Sequence, residues 1–361
     1  MRAFIRQILD VPRRRRHGRV LASIERSSDP QPVLSFGGAL DHGGLVHGGA
    51  VKLLHLRDAF AGDGARFNLL YLVSSSQPDF ANDLVRICKN RGIRFVWNQN
   101  GVGYPAWAGR EAERHNAPMR RLRAEADFVI HQSEFCRTSA EKFLGPSSQP
   151  QTVLFNPVDL QKFRPAAEPF PPAPVRLLAL GTQNYPHRVL SAIECVKILR
   201  DAGIPATLTV AGRLLWHKAD EAMARSIESL GLRDFVRLHP AFTQDEAAEF
   251  YRAHHILLHP KYLDPCPTVV IEALASGLPV VGSGSGGLPE MVPPDCGVLI
   301  PAPVVWDKLI TPRPDELAAA VTEILPRLPG FSRAARLHAE KTFDGARWVA
   351  RHREIFQKLL S

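Results

Sequence analysis

The amino-acid sequence predicts an α/β chain of two doubly wound, Rossmann-like domains facing each other across a cleft. Three observations carry this expectation. At 361 residues the chain is too long for one ordinary core. Short apolar runs alternate with amphipathic stretches in both halves, the pattern of a parallel sheet covered on both faces. Between the halves, residues 163–174 hold five prolines. Proline fixes φ and has no N–H, so this stretch interrupts the sheet and reads as a linker.

The elements follow in order. "VLSF" from Val33 is a short strand, followed by a glycine-rich loop. "AVKLLHLRDAF" has helical spacing and stops at Gly62. "FNLLYLV" reads as a strand, "DFANDLVRICKNRG" as a helix with Gly92 past its end, and "IRFVW" as a strand. A polar helix over residues 110–126 leads to the strand "DFVIH". The next helix starts at the N-cap Ser133 and ends at Gly145, and "TVLF" closes the first set. In the second set "VRLLAL", "ATLTVAG", "FVRL", "HILLH" and "LPVVG" are strands with helices between them, and residues 314–360 are helical. The expected boundaries are an arm over 1–30, an N-terminal domain over 31–165, a C-terminal domain over 166–340, and a final helix over 341–361 packing back on the N-terminal domain. A ligand then belongs in the cleft, at the carboxyl ends of the strands.

Composition narrows the function. Five scattered cysteines with no Cys-x-x-Cys pair argue against a disulfide framework or a zinc site and fit a reducing cytoplasm. No apolar run is long enough to span a bilayer, and no long apolar core of a secretory signal opens the chain. Of the formal net charge of +9, residues 1–20 carry most, with seven arginines against Asp10. The body is close to neutral, which speaks against a nucleic-acid-binding domain. Phe4, Ile5, Ile8 and Leu9 recur at helical spacing ahead of "PRRRRHGR". Two readings stand side by side: attachment of residues 1–20 to an anionic membrane surface at the inner face, and a solvated tail. An organelle-targeting peptide is a third.

Residues 269–281 hold one ionisable side chain, Glu272, in an otherwise apolar helix and strand. Thr268 reads as the N-cap and Gly277 as the stop. A capping box would need its acid at Ile271, so Glu272 is not one. A carboxylate in such surroundings must be paired or hydrogen-bonded. Arginine would serve, and so would sugar hydroxyls. No Gly-x-Gly-x-x-Gly fingerprint follows the first strand, which counts against a nicotinamide enzyme.

Asp264, seven residues, then Glu272, followed by "ALASGLPVV", "SGGLPE" and "GVLIP", resembles the donor signature of retaining family-4 glycosyltransferases of the GT-B fold. "HGGAVKLLHL" resembles their N-terminal Gly-Gly loop and helix, and "NPVDLQKFRP" their domain-junction motif. Together these cover about residues 33–325 in the family's order. The resemblance implies transfer of a sugar from a nucleotide-diphosphate donor to a hydroxyl with anomeric retention, on a glycan or lipid-linked acceptor of cell-surface synthesis. The N-terminal domain would take the acceptor and the C-terminal domain the nucleotide sugar.

It also implies site residues. Glu272 takes the ribose hydroxyls, and Asp264, shorter than the family's usual glutamate, sits by the donor sugar. The amides of Cys266, Pro267, Thr268 and Val269 lead into a helix N-terminus suited to a diphosphate, proline supplying none itself. Gly286 and Gly287 give close backbone approach, and Gly48 and Gly49 bring the N-terminal loop toward the diphosphate. Two departures stand out. Thr182 replaces the family's Arg, and His187 and Arg188 stand where its Lys is expected, with Arg188 the cation for the leaving group. The loop "WNQNGVGYPAW" lacks the family's His, leaving Asn100 to meet the sugar. No Asp-x-Asp triplet occurs, so no metal and no cofactor are expected. A nucleotide-sugar epimerase of the same fold, and a non-catalytic nucleotide-sugar-binding subunit, are the alternatives.

Overall fold

The computed structural model describes residues 17–38, 48–62, 64–167, 173–239 and 242–361. Most of the basic arm (residues 1–16) and Gly43 and Gly44 of the glycine-rich loop lie outside them.

Two parallel sheets form the frame. The first has five strands in chain order: Leu34–Ser35, Leu69–Val73, Arg94–Gln99, Phe128–His131 and Gln151–Val153. Its apolar runs are buried on both faces, as a parallel sheet requires. On one face Leu70, Leu72, Phe95 and Trp97 meet Leu84, Val85 and Leu122 of two helices. On the other, Leu69, Tyr71 and Val96 meet Leu53 and Leu56 of the helix Gly48–Ala59, together with Trp348, Ile355 and Phe356 of the terminal helix Gly345–Leu360. That last helix therefore packs on the first sheet, while Ala335 and Ala339 of the helix before it, Leu328–Thr342, pack with Ile271 and Leu274 of the other half. Gly48 and Gly49 form the first turn of their helix instead of preceding it.

The second sheet has six strands, in the order Val236–His239, Ala206–Ala211, Val175–Leu180, Ile256–His259, Val280–Gly284 and Gly297–Pro301. The order reverses between Val175–Leu180 and Ile256–His259, which pair through Ile256 with Leu177 and Leu257 with Leu178. At such a switch point the two loops leaving the strand ends diverge and open a crevice. The loops here are residues 181–185 and 260–267, and the first sheet's strand ends face them.

Local chemistry sets the helix ends. Ser133 caps the helix Glu134–Leu144 through the Cys136 N–H at 3.1 Å. The helix Thr268–Ala275 behaves differently from the sequence expectation: its N-cap is Pro267, not Thr268, and no side chain caps it. Proline before the helix fixes the entry angle but supplies no side-chain acceptor; its carbonyl takes the N–H groups of Val270 and Ile271 at 3.1 and 3.3 Å, so those of Thr268 and Val269 are left for another partner.

Candidate functional site

A cavity of about 760 Å³ lies where the two sheets' strand ends meet. Of the residues expected at a site, Asn100, Thr182, Arg188, Asp264, Cys266, Pro267, Thr268 and Val269 line it. His187, Glu272, Gly286 and Gly287 are not part of its lining.

Asp264 is 5% exposed, and its Oδ2 is held by Lys261 Nζ at 2.9 Å and His259 Nε2 at 3.0 Å. Burial works to raise its pKa, but the Lys261 charge and the His259 hydrogen bond outweigh this and hold it well below the usual carboxylate range. Burial in turn keeps His259 below its ordinary pKa. His259 therefore meets the carboxylate as a neutral imidazole donating from Nε2. Lys261 was not evident in the sequence as a site residue. Its signal is its place three residues before Asp264 in the same loop.

The loop that carries Asp264 is fastened on several sides. Leu263 N donates to Ser285 Oγ at 3.0 Å, and Gly287 N to the Asp264 carbonyl at 2.9 Å. A Cβ on Gly287 would lie 2.1 Å from the Pro265 carbonyl, and one on Gly286, whose φ is +67°, 2.5 Å from that of Asp264. These two glycines are thus needed for the close approach of residues 284–288 to residues 263–265.

Arg188 starts the helix Pro186–Asp201 and reaches the cavity while only 8% exposed. Its guanidinium lies 5.1 Å from the Tyr185 ring, and its Nε has no hydrogen-bond partner. Burial lowers its pKa while the Asp264 charge opposes this. His187 turns away to stack on Tyr185 at 5.5 Å.

Glu272 is 3% exposed, and its Oε2 accepts from the Tyr251 hydroxyl at 2.8 Å. Burial pushes its pKa up to about 7, against the Tyr251 hydrogen bond and the charge of Lys162. The partner that the apolar helix demanded is a tyrosine, from the helix Gln244–Ala253.

Asn100 sits on the opposite wall, its N–H donating to Ser74 Oγ at 2.9 Å and its Nδ2 to Ser75 Oγ at 2.6 Å. Its Oδ1 accepts from Lys52 Nζ at 2.7 Å. Lys52 escaped notice because one lysine in "AVKLLHL" looks like a solvated helix position. Its spacing of four from Leu56 puts it on the buried stripe.

The two halves touch around the cavity. Ser133 Oγ donates to the Pro265 carbonyl at 2.7 Å, and Asn156 Nδ2 to the Cys266 carbonyl at 3.1 Å. Glu290 accepts from the N–H groups of Glu134 and Phe135, each at 2.7 Å. Phe135 stacks on Trp306 at 5.5 Å. All five cysteines are free and buried. Among the described residues no cluster of His, Cys, Asp and Glu could hold a metal ion, and no helix is long and apolar enough to cross a membrane.

Comparison with known proteins places this geometry. Residues 162–325 match the family described as Glycosyl transferases group 1. The D-inositol 3-phosphate glycosyltransferase of Mycobacteroides abscessus is 40% identical over 112 residues, 30% of this chain and 23% of that protein. The glycogen synthase of Mycobacterium tuberculosis is 29% identical over 174 residues, 46% of this chain and 40% of that protein. The chain thus spans less than half the length of these curated relatives. The solved structure of sucrose-phosphate synthase from Thermosynechococcus elongatus is similar with a TM-score of 0.66 at 16% identity, covering 86% of this chain and 76% of that one. HepE from Anabaena, in complex with UDP, gives 0.63 at 17% identity over 81% of this chain and 79% of that one. The shared fold is GT-B.

Proposed function

From the match of residues 162–325 to the glycosyl transferases group 1 family, on a GT-B frame, we propose that the protein is a retaining glycosyltransferase using a nucleotide-diphosphate sugar. The observation that carries the reading is Arg188, a cation 8% exposed on the cavity wall with an unpartnered Nε. A buried guanidinium without such a partner is costly unless an anion meets it. Across the same cavity the helix Thr268–Ala275 opens with no side-chain cap. A diphosphate between the two would accept from the Thr268 and Val269 amides and pair with Arg188. That HepE was solved with UDP agrees with such a ligand.

The division of labour follows. Lys261 and His259 hold Asp264 ionised and in one rotamer beside the reacting sugar. A carboxylate kept negative there steadies positive charge growing on the sugar as its bond to phosphate lengthens. The leaving phosphate oxygen takes the proton of the attacking hydroxyl, and the new glycosidic bond forms on the face that the phosphate leaves. Arg188 and the amides hold the charge that collects on the diphosphate, so no metal is required. Glu272, one turn into the helix, lies behind the cavity lining with Tyr251 on its Oε2, so contact with the donor ribose needs its carboxylate to turn toward the cavity. The contacts across the cleft exclude water from the reacting bond. The acceptor is a glycan or lipid-linked hydroxyl, and residues 1–20 attach the protein to an anionic membrane surface.

The test is incubation of the protein with a panel of UDP-, GDP- and ADP-sugars, with and without acceptor glycans, followed by product analysis. Retained-anomer product with release of nucleoside diphosphate is expected. A donor converted to its epimer with no acceptor present would replace this reading. A donor bound but never consumed would make the protein a binding subunit.

A further inference from the structure

The cavity wall opposite the helix N-terminus is organised by a residue that does not reach it. Lys52 is 1% exposed, yet it sits where a leucine or methionine would fill the space. Burying an ammonium is costly, and burial lowers the Lys52 pKa to about 7. Nζ donates to Asn98 Oδ1 at 2.6 Å and to Asn100 Oδ1 at 2.7 Å, and neither partner is a carboxylate.

The polarity of this network can be read from one end to the other. In the terminal helix the Trp348 carbonyl lies 2.9 Å from His352 Nδ1. A carbonyl only accepts, so Nδ1 carries the proton. Burial drives the His352 pKa down to about 3, so the ring holds one proton and Nε2 is an acceptor. The Tyr71 hydroxyl, 3.1 Å away, therefore donates to Nε2. Its oxygen then accepts from Asn98 Nδ2 at 2.8 Å. That turns Asn98 Oδ1 toward Lys52. Protonated, Lys52 has donors and no acceptor, so Asn100 then also presents its oxygen. Asn100 Nδ2 is left to donate to Ser75 Oγ at 2.6 Å. With its oxygen accepting, Ser75 has its own hydrogen free to donate. Ser75 lines the cavity.

We propose that Lys52 is a positioning residue: in its protonated, donor-only form it forbids the flip of the Asn100 amide, so that the cavity wall offers the Ser75 hydroxyl as a donor to a substrate oxygen. A flipped amide would set Nδ2 against the ammonium and turn the Ser75 hydroxyl inward. The identity of the substrate rests on the glycosyltransferase reading, while the network itself does not.

The experiment compares wild type, Lys52→Met, Ser75→Ala and the double variant, using UDP-glucose titration, UDP release and melting temperature. Each single change is expected to lower kcat/KM by about 10- to 100-fold, with melting temperatures that keep the protein folded at assay temperature. The double variant should lose no more than the worse single one, because both remove the same oriented hydroxyl. Multiplying losses, or unchanged kcat/KM in either single variant, would overturn the proposal. Should Lys52→Met not fold, Lys52→Gln replaces it, since an amide can accept as well as donate, and the same non-additivity is expected. If wild type neither binds nor turns over UDP-, GDP- or ADP-sugars, the glycosyltransferase reading fails separately. The proposal then stands or falls on the crystal structure of the folded Lys52 variant. At a resolution that tells amide oxygen from nitrogen, a flipped or rotated Asn100 amide supports it, and an amide with Oδ1 still toward position 52 refutes it.

Discussion

The hydroxyl of Tyr251 donates to Glu272 Oε2 at 2.8 Å, joining the helix Gln244–Ala253 to the helix that opens on the cavity. The contact explains how a lone carboxylate survives among Val270, Ile271, Ala273 and Leu274, all fully buried. It does not remove the cost of burial, which raises the Glu272 pKa to about 7.

A pH dependence of stability follows, with a definite sign. The folded protein binds a proton at Glu272 more tightly than the unfolded chain does. Stability is unaffected by this group below the unfolded pKa of about 4.5, falls as pH rises toward about 7, and levels off above it. The total is of the order of 3 kcal/mol at about 1.4 kcal/mol per pH unit. Glu272→Gln abolishes the effect. Melting curves from pH 5 to 8 should show the Gln variant gaining on wild type as pH rises, and parallel curves would contradict this. Calorimetry should also show weaker nucleotide-sugar binding, by roughly 1.5–3 kcal/mol, through the lost ribose contact.

Arg188→Leu should separate phosphate from base. The side chain has no carboxylate hydrogen-bonded to it among the described residues, so its loss should leave the fold intact. Affinity for UDP is expected to fall by about tenfold or more, in line with roughly 1.5–3 kcal/mol for a charged hydrogen bond. Uridine, which lacks phosphate, should bind wild type and variant alike. Equal losses for both ligands would remove Arg188 from the diphosphate.

Asp264→Asn tests the reacting-sugar side. Lys261 and His259 hold the carboxylate ionised well below the ordinary range, so it should add no inflection to the rate between pH 5 and 9. The substitution should lower kcat more than it raises the donor KM, because its charge acts on the transition state. Its stability contribution is present above the unfolded pKa and is lost only as pH falls into the strongly acidic range. A variant with kcat unchanged and KM raised would make Asp264 a binding residue only.

Most of the architecture was legible because it rests on local signals. Strand runs, proline breaks and caps such as Ser133 act over a few residues, and the structure places the expected strands and that cap where the sequence does, adding Gly297–Pro301 at the edge of the second sheet. Asn100, Arg188 and Asp264, which the resemblance implies, all line the cavity, each in or just after a loop that leaves a strand end of one of the two sheets. What stayed hidden depends on distant partners. Tyr251 meets Glu272 across 21 positions, Lys52 meets Asn100 across 48, and Glu290 meets Phe135 across 155. No spacing rule joins residues that far apart. The misplaced cap at Thr268 has a different cause. Proline at N-cap lacks a side-chain acceptor, and the sequence reading assumed that a hydroxyl would be used where one stood nearby.

Glu290 supplies the last prediction. Its carboxylate accepts from the N–H groups of Glu134 and Phe135, both at 2.7 Å, and so caps a helix of the opposite domain. Ser133 caps the same helix through Cys136, which divides the free amides between a local side chain and one from across the cleft. A carboxylate at a helix N-terminus also meets the positive end of the helix dipole. Glu290→Ala breaks the contact with no bulk added. The closed arrangement should weaken by roughly 1.5–3 kcal/mol, the worth of charged hydrogen bonds of this kind. Small-angle scattering should show a larger radius of gyration for the ligand-free variant, and donor hydrolysis without acceptor should rise as water enters the cleft. Phe135 stacked on Trp306 and Ser133 bound to Pro265 would still tether the halves, so partial opening is expected, with the melting temperature of each domain retained. Superimposable scattering curves and unchanged hydrolysis would mean that the remaining contacts keep the cleft closed without Glu290.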